Sequence, residues 1–341
     1  MPSHWFYGGR GEVERVFGGP LTSYRKSPEH YPQTIMALSN TGGAGRGTSD
    51  GDIIGTIINH GKKKYWARGG AHHYHCTLQA GENTLEGEMA RLSSRSMTKG
   101  DFDVARMRQE YIDFMTTPGS HNDAYASTFH RMFFANRERG LPLEECPDND
   151  HHNVDTIDGL IMPIPVILGS LDKSEAESVE LARNSVRVTR KSKRVEEYIP
   201  VLVKMLRGIL SGRKAVDVAQ EFAQQLYGQE VDTGARDPVV ACYLDPNFQS
   251  LIHFLAKYDD FRDCALANAN AGGENVHRGL VLGALLGAQI GANGIPEDLK
   301  LGLNHSQAIA NEIDAFVSAR VKLSFDTDWA GHSTPSNIEL Q

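Results

Sequence analysis

The sequence predicts an all-α fold with a small irregular amino-terminal part. From Glu82 to Ala319 apolar residues recur at helical spacing with few interruptions, whereas period-two alternation is confined to a short stretch before Arg68. The strongest single signal is Ala271–Pro296, AGGENVHRGLVLGALLGAQIGANGIP, where a Gly-Gly turn opens onto polar residues and then an apolar helix. Gly279, Gly283, Gly287 and Gly291 recur there every fourth residue and so line one helix face. Each costs roughly 1 kcal/mol against alanine, which predicts that another backbone packs closely on that face.

Taken in order, the elements read as follows. Met1–Gly19 (HWFYGG within it) and the glycine loop Asn40–Asp52 read as irregular, and Asp52–Asn59 with Lys63–Arg68 as a short β-hairpin about His60-Gly61. Leu85, Met89 and Leu92 follow Asn83 and Thr84, either of which can cap. Val104, Met107, Tyr111, Phe114 and Met115 form a second stripe, and Tyr125, Phe129, Met132 and Phe133 a third. Further helices are predicted at Glu175–Thr189, Val195–Leu210, Val216–Tyr227, Asn247–Lys257, Arg262–Ala269, Gly279–Ala292 and Gln307–Ala319. Residues 1–330 are expected to form a single domain and 331–341 a frayed tail.

Composition narrows the class. Hydrophobic residues at 40% and charged residues at 23% are those of a globular protein. A net charge of −8 opposes a nucleic-acid or anionic-membrane surface. The basic run Arg187–Arg194 (RVTRKSKR) reads as a solvated helix end. Cys76, Cys146, Cys242 and Cys264 are scattered, as reduced thiols of a cytosolic protein are. MPSHWFYGG has neither the basic nor the apolar region of a signal peptide, and no apolar run is long enough for a membrane span. The expectation is a cytoplasmic monomer.

Polar clusters mark where chemistry can reside. Glu82, Asn83 and Thr84 present three oxygen-bearing side chains in succession before an apolar helix, which suits a hard cation or an ordinary cap. Glu274, Asn275, His277 and Arg278 stand at the start of the glycine-striped helix. The repeat of Gly-Glu-Asn at 81–83 and 273–275 suggests two helix starts that face each other and share an ion. His72, His73 and His75, like His151-His152, are read as surface or loop histidines, with a transition-metal site as the alternative. Gly119–Tyr125 (GSHNDAY) is a polar loop whose His121, Asn122 and Asp123 can line a pocket.

These residues resemble the ADP-ribosylglycohydrolase family. That family has a G-G-D-T-D-T turn before a small-residue helix ending in I-P, and Gly272-Gly273-Glu274-Asn275-Val276-His277 followed by GALLGAQIGANGIP is similar to it. Its T-D-D-T resembles Gly81-Glu82-Asn83-Thr84, its M-R-x-x-P resembles Ile161-Met162-Pro163-Ile164-Pro165, and its T-H resembles Thr189-Arg190. Pro2-Ser3-His4-Trp5 is similar to the end of its first signature, so the family's first helix would lie before Met1. Two aspartates of the third motif are replaced by Glu274 and Val276, and those of the second by Glu82 and Asn83.

The resemblance implies a compact, orthogonal multi-helix bundle and a hydrolase acting on the glycosidic bond of ADP-ribose in modified protein, through a metal-assisted water. It implies a divalent ion, Mg²⁺ with Mn²⁺ or Zn²⁺ as alternatives, held among His4, Glu82, Asn83, Thr84, Glu274 and His277. Glu82 or Glu274 would be the general base. Asn83, Asn275, His121, Asn122, Asp123, Gly272 and Gly273 would contact the substrate. The alternative is an inactive ADP-ribose-binding or structural, crystallin-like member, since Val276 cannot ligate a metal and Asn83 lacks charge.

Overall fold

In the computed structural model, which describes residues 6–31, 53–67 and 70–320, helices start where short polar side chains precede apolar periodicity. After α1 (Gly9–Phe17) come α2 (Leu85–Thr98), α3 (Val104–Thr116) and α4 (Thr128–Glu138). The Thr84 hydroxyl accepts from Gly87 N at 3.3 Å and caps α2; Asp103 accepts from Arg106 N at 2.6 Å and caps α3. The short α5 (Pro163–Leu168) has proline in its first turn, where a missing N–H is harmless. A capping box between Ser174 and Glu177 opens α6 (Glu175–Val186), and Ser192 caps α7 (Lys193–Leu210). The chain then runs through α8 (Ala215–Tyr227), α9 (Leu244–Lys257), α10 (Phe261–Ala271), α11 (Asn275–Gly294), α12 (Glu297–Leu301) and α13 (Ser306–Arg320).

Two apolar clusters hold these helices together. The larger is built on α7, whose Val195, Ile199, Leu202 and Leu206 are buried where α7 packs against α6, α8 and α11. The smaller joins α2, α3 and α4 around Met89, Met107, Tyr111 and Phe133, with Ile53, Ile54 and Ile58 packed into it. Among the described residues there is no strand, only isolated bridges, and no helix is long and apolar enough to cross a membrane.

The structure corrects five expectations, the first being that 1–19 is irregular, since Gly9–Phe17 is the helix α1. The hairpin is absent: Gly55, with φ +93°, turns the chain back so that Ile58 N donates to Ile53 O at 2.9 Å, and Lys63–Trp66 is a 3₁₀ turn. Asp52, Arg68 and the loop at 40–52 lie outside the described residues. The glycine stripe is not a helix-packing face. Only Gly279 is crowded, since a Cβ there would stand 2.8 Å from Asn268 Nδ2, while at Gly283 and Gly287 no described atom lies within 4 Å. Gly291, with φ +66°, breaks the helical path.

The basic run is a solvated helix end only in part: Lys191 and Lys193 are exposed, but one arginine is not. Arg190 is fully buried and donates to Asp158 Oδ1 at 2.6 Å, and Val188 and Ser192 beside it are buried too. His73 and His75 are also interior: His73 stacks on Phe6 and His75 pairs with Asp123. The four cysteines form no disulfide.

Candidate active site

The Gly272-Gly273 turn fits its place because it has no side chains. Both residues have positive φ, and a Cβ on either would stand 2.5 Å from a carbonyl oxygen, that of Phe6 or that of Val240. The turn is stitched to both neighbours, Gly273 N donating to Phe6 O at 3.3 Å and Glu274 N to Val240 O at 2.9 Å. Directly after it, the Asn275 side chain donates to Ala269 O at 3.1 Å, and the Asn275 main-chain carbonyl accepts from Asn268 Nδ2 at 2.8 Å. The fully buried Arg278 donates to Asn268 Oδ1 at 2.6 Å and lies over the Phe254 ring. Burial pushes the Arg278 guanidinium down to about 10, with Glu274 opposing the shift.

The start of α2 is tied down from the polar loop at 119–125. Asp123, fully buried, accepts from His75 Nδ1 at 2.9 Å and from Leu85 N at 3.0 Å, so one carboxylate fixes both a histidine and a helix N-terminus. Asn122 donates to Glu82 Oε2 at 3.0 Å and to Thr77 O at 2.8 Å. Gln79 N donates to the same Glu82 oxygen at 2.6 Å, so both bonds fall on Oε2.

The two helix starts border a common cavity of about 550 Å³. Its polar end carries His75, Glu82, Asn83, Thr84, Asn268 and Asn275, and α10, α11, α12 and α13 supply apolar walls that include Gly283. That volume lies within the range of small-molecule sites.

Glu274 and His277 stand behind this cavity, in the interior. His277 Nδ1 lies 2.6 Å from Glu274 Oε1 and Nε2 lies 3.3 Å from Glu86 Oε2. Glu86 Oε1 accepts from Ser127 Oγ at 3.0 Å and faces His130 Nε2 at 3.8 Å, while Oε2 has no hydrogen-bond partner. His130 is held from its other nitrogen by Tyr111 OH at 2.7 Å. Asp158, bonded to Arg190 and Thr156, completes the group. Glu86, Asp158 and His277 offer ligand atoms all within 4.8 Å of one another, and such a group could bind a metal. Burial alone would raise the Glu86 carboxyl, but His277 and then His130 outweigh it and hold it well below its ordinary value. Burial likewise opposes the His277 imidazolium, yet Glu274 and Glu86 hold its pKa well above the usual range.

The residues singled out in the sequence thus divide. Glu82, Asn83, Thr84 and Asn275 line the cavity; Glu274 and His277 meet behind it; Gly272 and Gly273 form the turn. Asn122 and Asp123 brace the α2 start rather than lining the cavity, and His121 is stacked on Phe114. His4 lies outside the described residues. Glu86, Asp158 and His130 were not singled out. Glu86 carries a readable signal, since it shares one helix face with Met89, Ser93 and Met97 and so puts a carboxylate on the buried stripe of α2. Asp158 and Arg190 meet only through the tertiary fold.

A family model described as ADP-ribosylglycohydrolase matches residues 37–326. ADP-ribosyl-[dinitrogen reductase] glycohydrolase of Rhodospirillum rubrum is 24% identical over 290 residues, covering 81% of this chain and 95% of that protein. A solved structure of an ADP-ribosylglycohydrolase-related protein complex superposes with a TM-score of 0.56 at 17% identity, over 71% of this chain and 83% of that one. At that identity the structural likeness is one of fold.

Proposed function

Because the chain belongs to the ADP-ribosylglycohydrolase family, we propose that it hydrolyses the glycosidic bond between ADP-ribose and a modified protein side chain. The observation that carries this reading is the shared cavity: two glycine-led turns, 81–84 and 272–275, bring Glu82, Asn83, Thr84 and Asn275 to one polar end. A carboxylate among amide and hydroxyl groups suits a ribose, whose hydroxyls both donate and accept. Glu82 is the base in this reading, because both of its hydrogen bonds fall on Oε2 and leave Oε1 to orient a water. The water adds to the anomeric carbon, its proton passes to Glu82, and the bond to the acceptor's nitrogen or oxygen breaks as that atom takes a proton from solvent. Arg25 and Lys300, also in the cavity lining, give positive charge for the diphosphate.

The resemblance implies a divalent ion. The buried Glu86 Oε2, without a hydrogen-bond partner and near His277 and Asp158, is the feature that fits one. When bound, such an ion would supply positive charge behind the polar end of the cavity and lower the pKa of a water on it. Glu274 keeps His277 in place from behind.

One observation favours the inactive, ADP-ribose-binding alternative: Val276 stands where the family's motif has an aspartate, and it offers no donor. The test is release of ADP-ribose from ADP-ribosylated arginine and serine peptides with Mg²⁺, Mn²⁺ or Zn²⁺, alongside calorimetric binding of free ADP-ribose. Turnover that falls at least 100-fold in Glu82→Gln, with binding retained, supports the reading. Binding without release from any peptide leaves the inactive alternative.

A further inference from the structure

The family's motifs direct attention to Glu82, Asn83 and Thr84 as metal ligands, but the buried geometry lies elsewhere. Glu82 spends one oxygen on Gln79 N and Asn122, Asn83 donates to Glu88 Oε1 at 2.9 Å, and Thr84 caps α2. In the first turn of α2, Glu86 points to the interior, where its Oε2 is buried 3.3 Å from His277 Nε2 and makes no hydrogen bond of good geometry. The bonds that Asp158 accepts from Arg190 and Thr156 both fall on Oδ1. A cavity of about 10 Å³ is lined by both carboxylates, about the size of one water or one small ion.

His277 is built for the same purpose. Its Nδ1 lies against the Glu274 carboxylate at 2.6 Å and its Nε2 is on the Glu86 side at 3.3 Å. A carboxylate behind a histidine fixes the ring and directs the second nitrogen to a metal. Glu86, Asp158 and Glu274 bring three negative charges, and the buried Arg190 and Arg278 bring two positive ones. With a neutral imidazole the net charge is −1, which a single divalent ion already more than offsets and two would far exceed.

We propose that Glu86, Asp158 and His277 hold one divalent ion of the class that accepts nitrogen, Zn²⁺ or Mn²⁺ ahead of Mg²⁺, with Glu274 orienting His277, and that Glu82, Asn83 and Thr84 serve the substrate. One imidazole and two carboxylates are common ligands of Zn²⁺ and are tolerated by Mn²⁺, whereas Mg²⁺ takes oxygen almost alone. Tetrahedral ligands at about 2.1 Å stand about 3.4 Å apart, so the present spread of up to 4.8 Å closes by small side-chain rotations. The proposal rests on the reading of the α2–α11 junction as the site, but not on turnover.

The experiment strips the purified full chain with EDTA, dialyses it against Zn²⁺, Mn²⁺ or Mg²⁺, and measures bound metal by mass spectrometry. It then records the electron spin echo of the Mn²⁺ form. One ion per chain and modulation from one imidazole nitrogen are expected. Affinity should fall more than 100-fold in Glu86→Gln, fall 10–100-fold in Glu274→Gln, and stay within 2-fold in Glu82→Gln. The echo on the unmutated protein stands even if a variant does not fold. Absence of nitrogen coupling, two ions per chain, or loss of metal in Glu82→Gln but not in Glu86→Gln overturns the proposal. Nitrogen-coordinated metal without ADP-ribose release supports it while removing the glycohydrolase reading; release without such metal does the reverse.

Discussion

Alanine at Gly279 and at Gly283, one helical turn apart on α11, should have opposite effects. Mid-helix Gly→Ala is worth about 0.8–1 kcal/mol in favour of alanine, and at Gly283 the new methyl meets no described atom within 4 Å. Gly283→Ala should therefore stabilise the chain by about 1 kcal/mol, or about 2 °C in Tm for a protein of this size. At Gly279 the methyl would stand 2.8 Å from Asn268 Nδ2. That side chain cannot swing away freely, because it donates to Asn275 O at 2.8 Å and accepts from the buried Arg278 at 2.6 Å. A lost hydrogen bond to a charged group costs about 1.5–3 kcal/mol. After the helix gain, Gly279→Ala should lose about 1–2 kcal/mol. Urea unfolding of the three proteins measures both changes. A second readout uses Gly283→Leu, whose side chain enters the cavity: stability should hold while ADP-ribose affinity falls. If Gly279→Ala is neutral and Gly283→Ala destabilises by more than 1 kcal/mol, the helix face is assigned the wrong way round and the cavity wall with it.

Two further outcomes follow from the buried charges. Arg190→Met should destabilise by about 3–5 kcal/mol, because Asp158 loses its partner in the interior; a loss under 1 kcal/mol in urea would show that Asp158 is solvated. In EDTA, the Glu86–His277 contact should stabilise the chain most between pH 4.5 and 6.5, the ordinary values of the two groups. His277 is raised on folding, so its share is complete below 6.5 and fades as pH climbs through the folded value. Glu86 is depressed, so its share is complete above 4.5 and fades as pH falls through the folded value. The stability gap between the parent and His277→Asn should be widest in that window; a gap that widens toward pH 9 contradicts the assignment.

Local signals made the helices legible. Capping residues followed by apolar stripes placed α2, α3 and α6 to α11 within a few residues, because period and caps are properties of neighbouring side chains. The same locality misled where isoleucines flank Gly55: β-branched residues favour a strand, but a positive φ turns the chain. It misled again at α1, whose two glycines and polar residues carry little helix propensity. In the site, Glu274 and His277 were readable because they share one turn of α11. Asp158 and Arg190 were not, since one arginine of an exposed-looking basic run becomes interior only when the segment between α6 and α7 meets Asp158.

The central claim is that the turns at 81–84 and 272–275 form one site for an ADP-ribosyl group. Hydrogen exchange of the intact chain with and without saturating ADP-ribose tests it directly. Amides of Glu82 to Gly87 and of Asn275 to Gly283 should slow together, because both line the same cavity. Protection confined to other segments, with these two unchanged at saturation, would contradict the account.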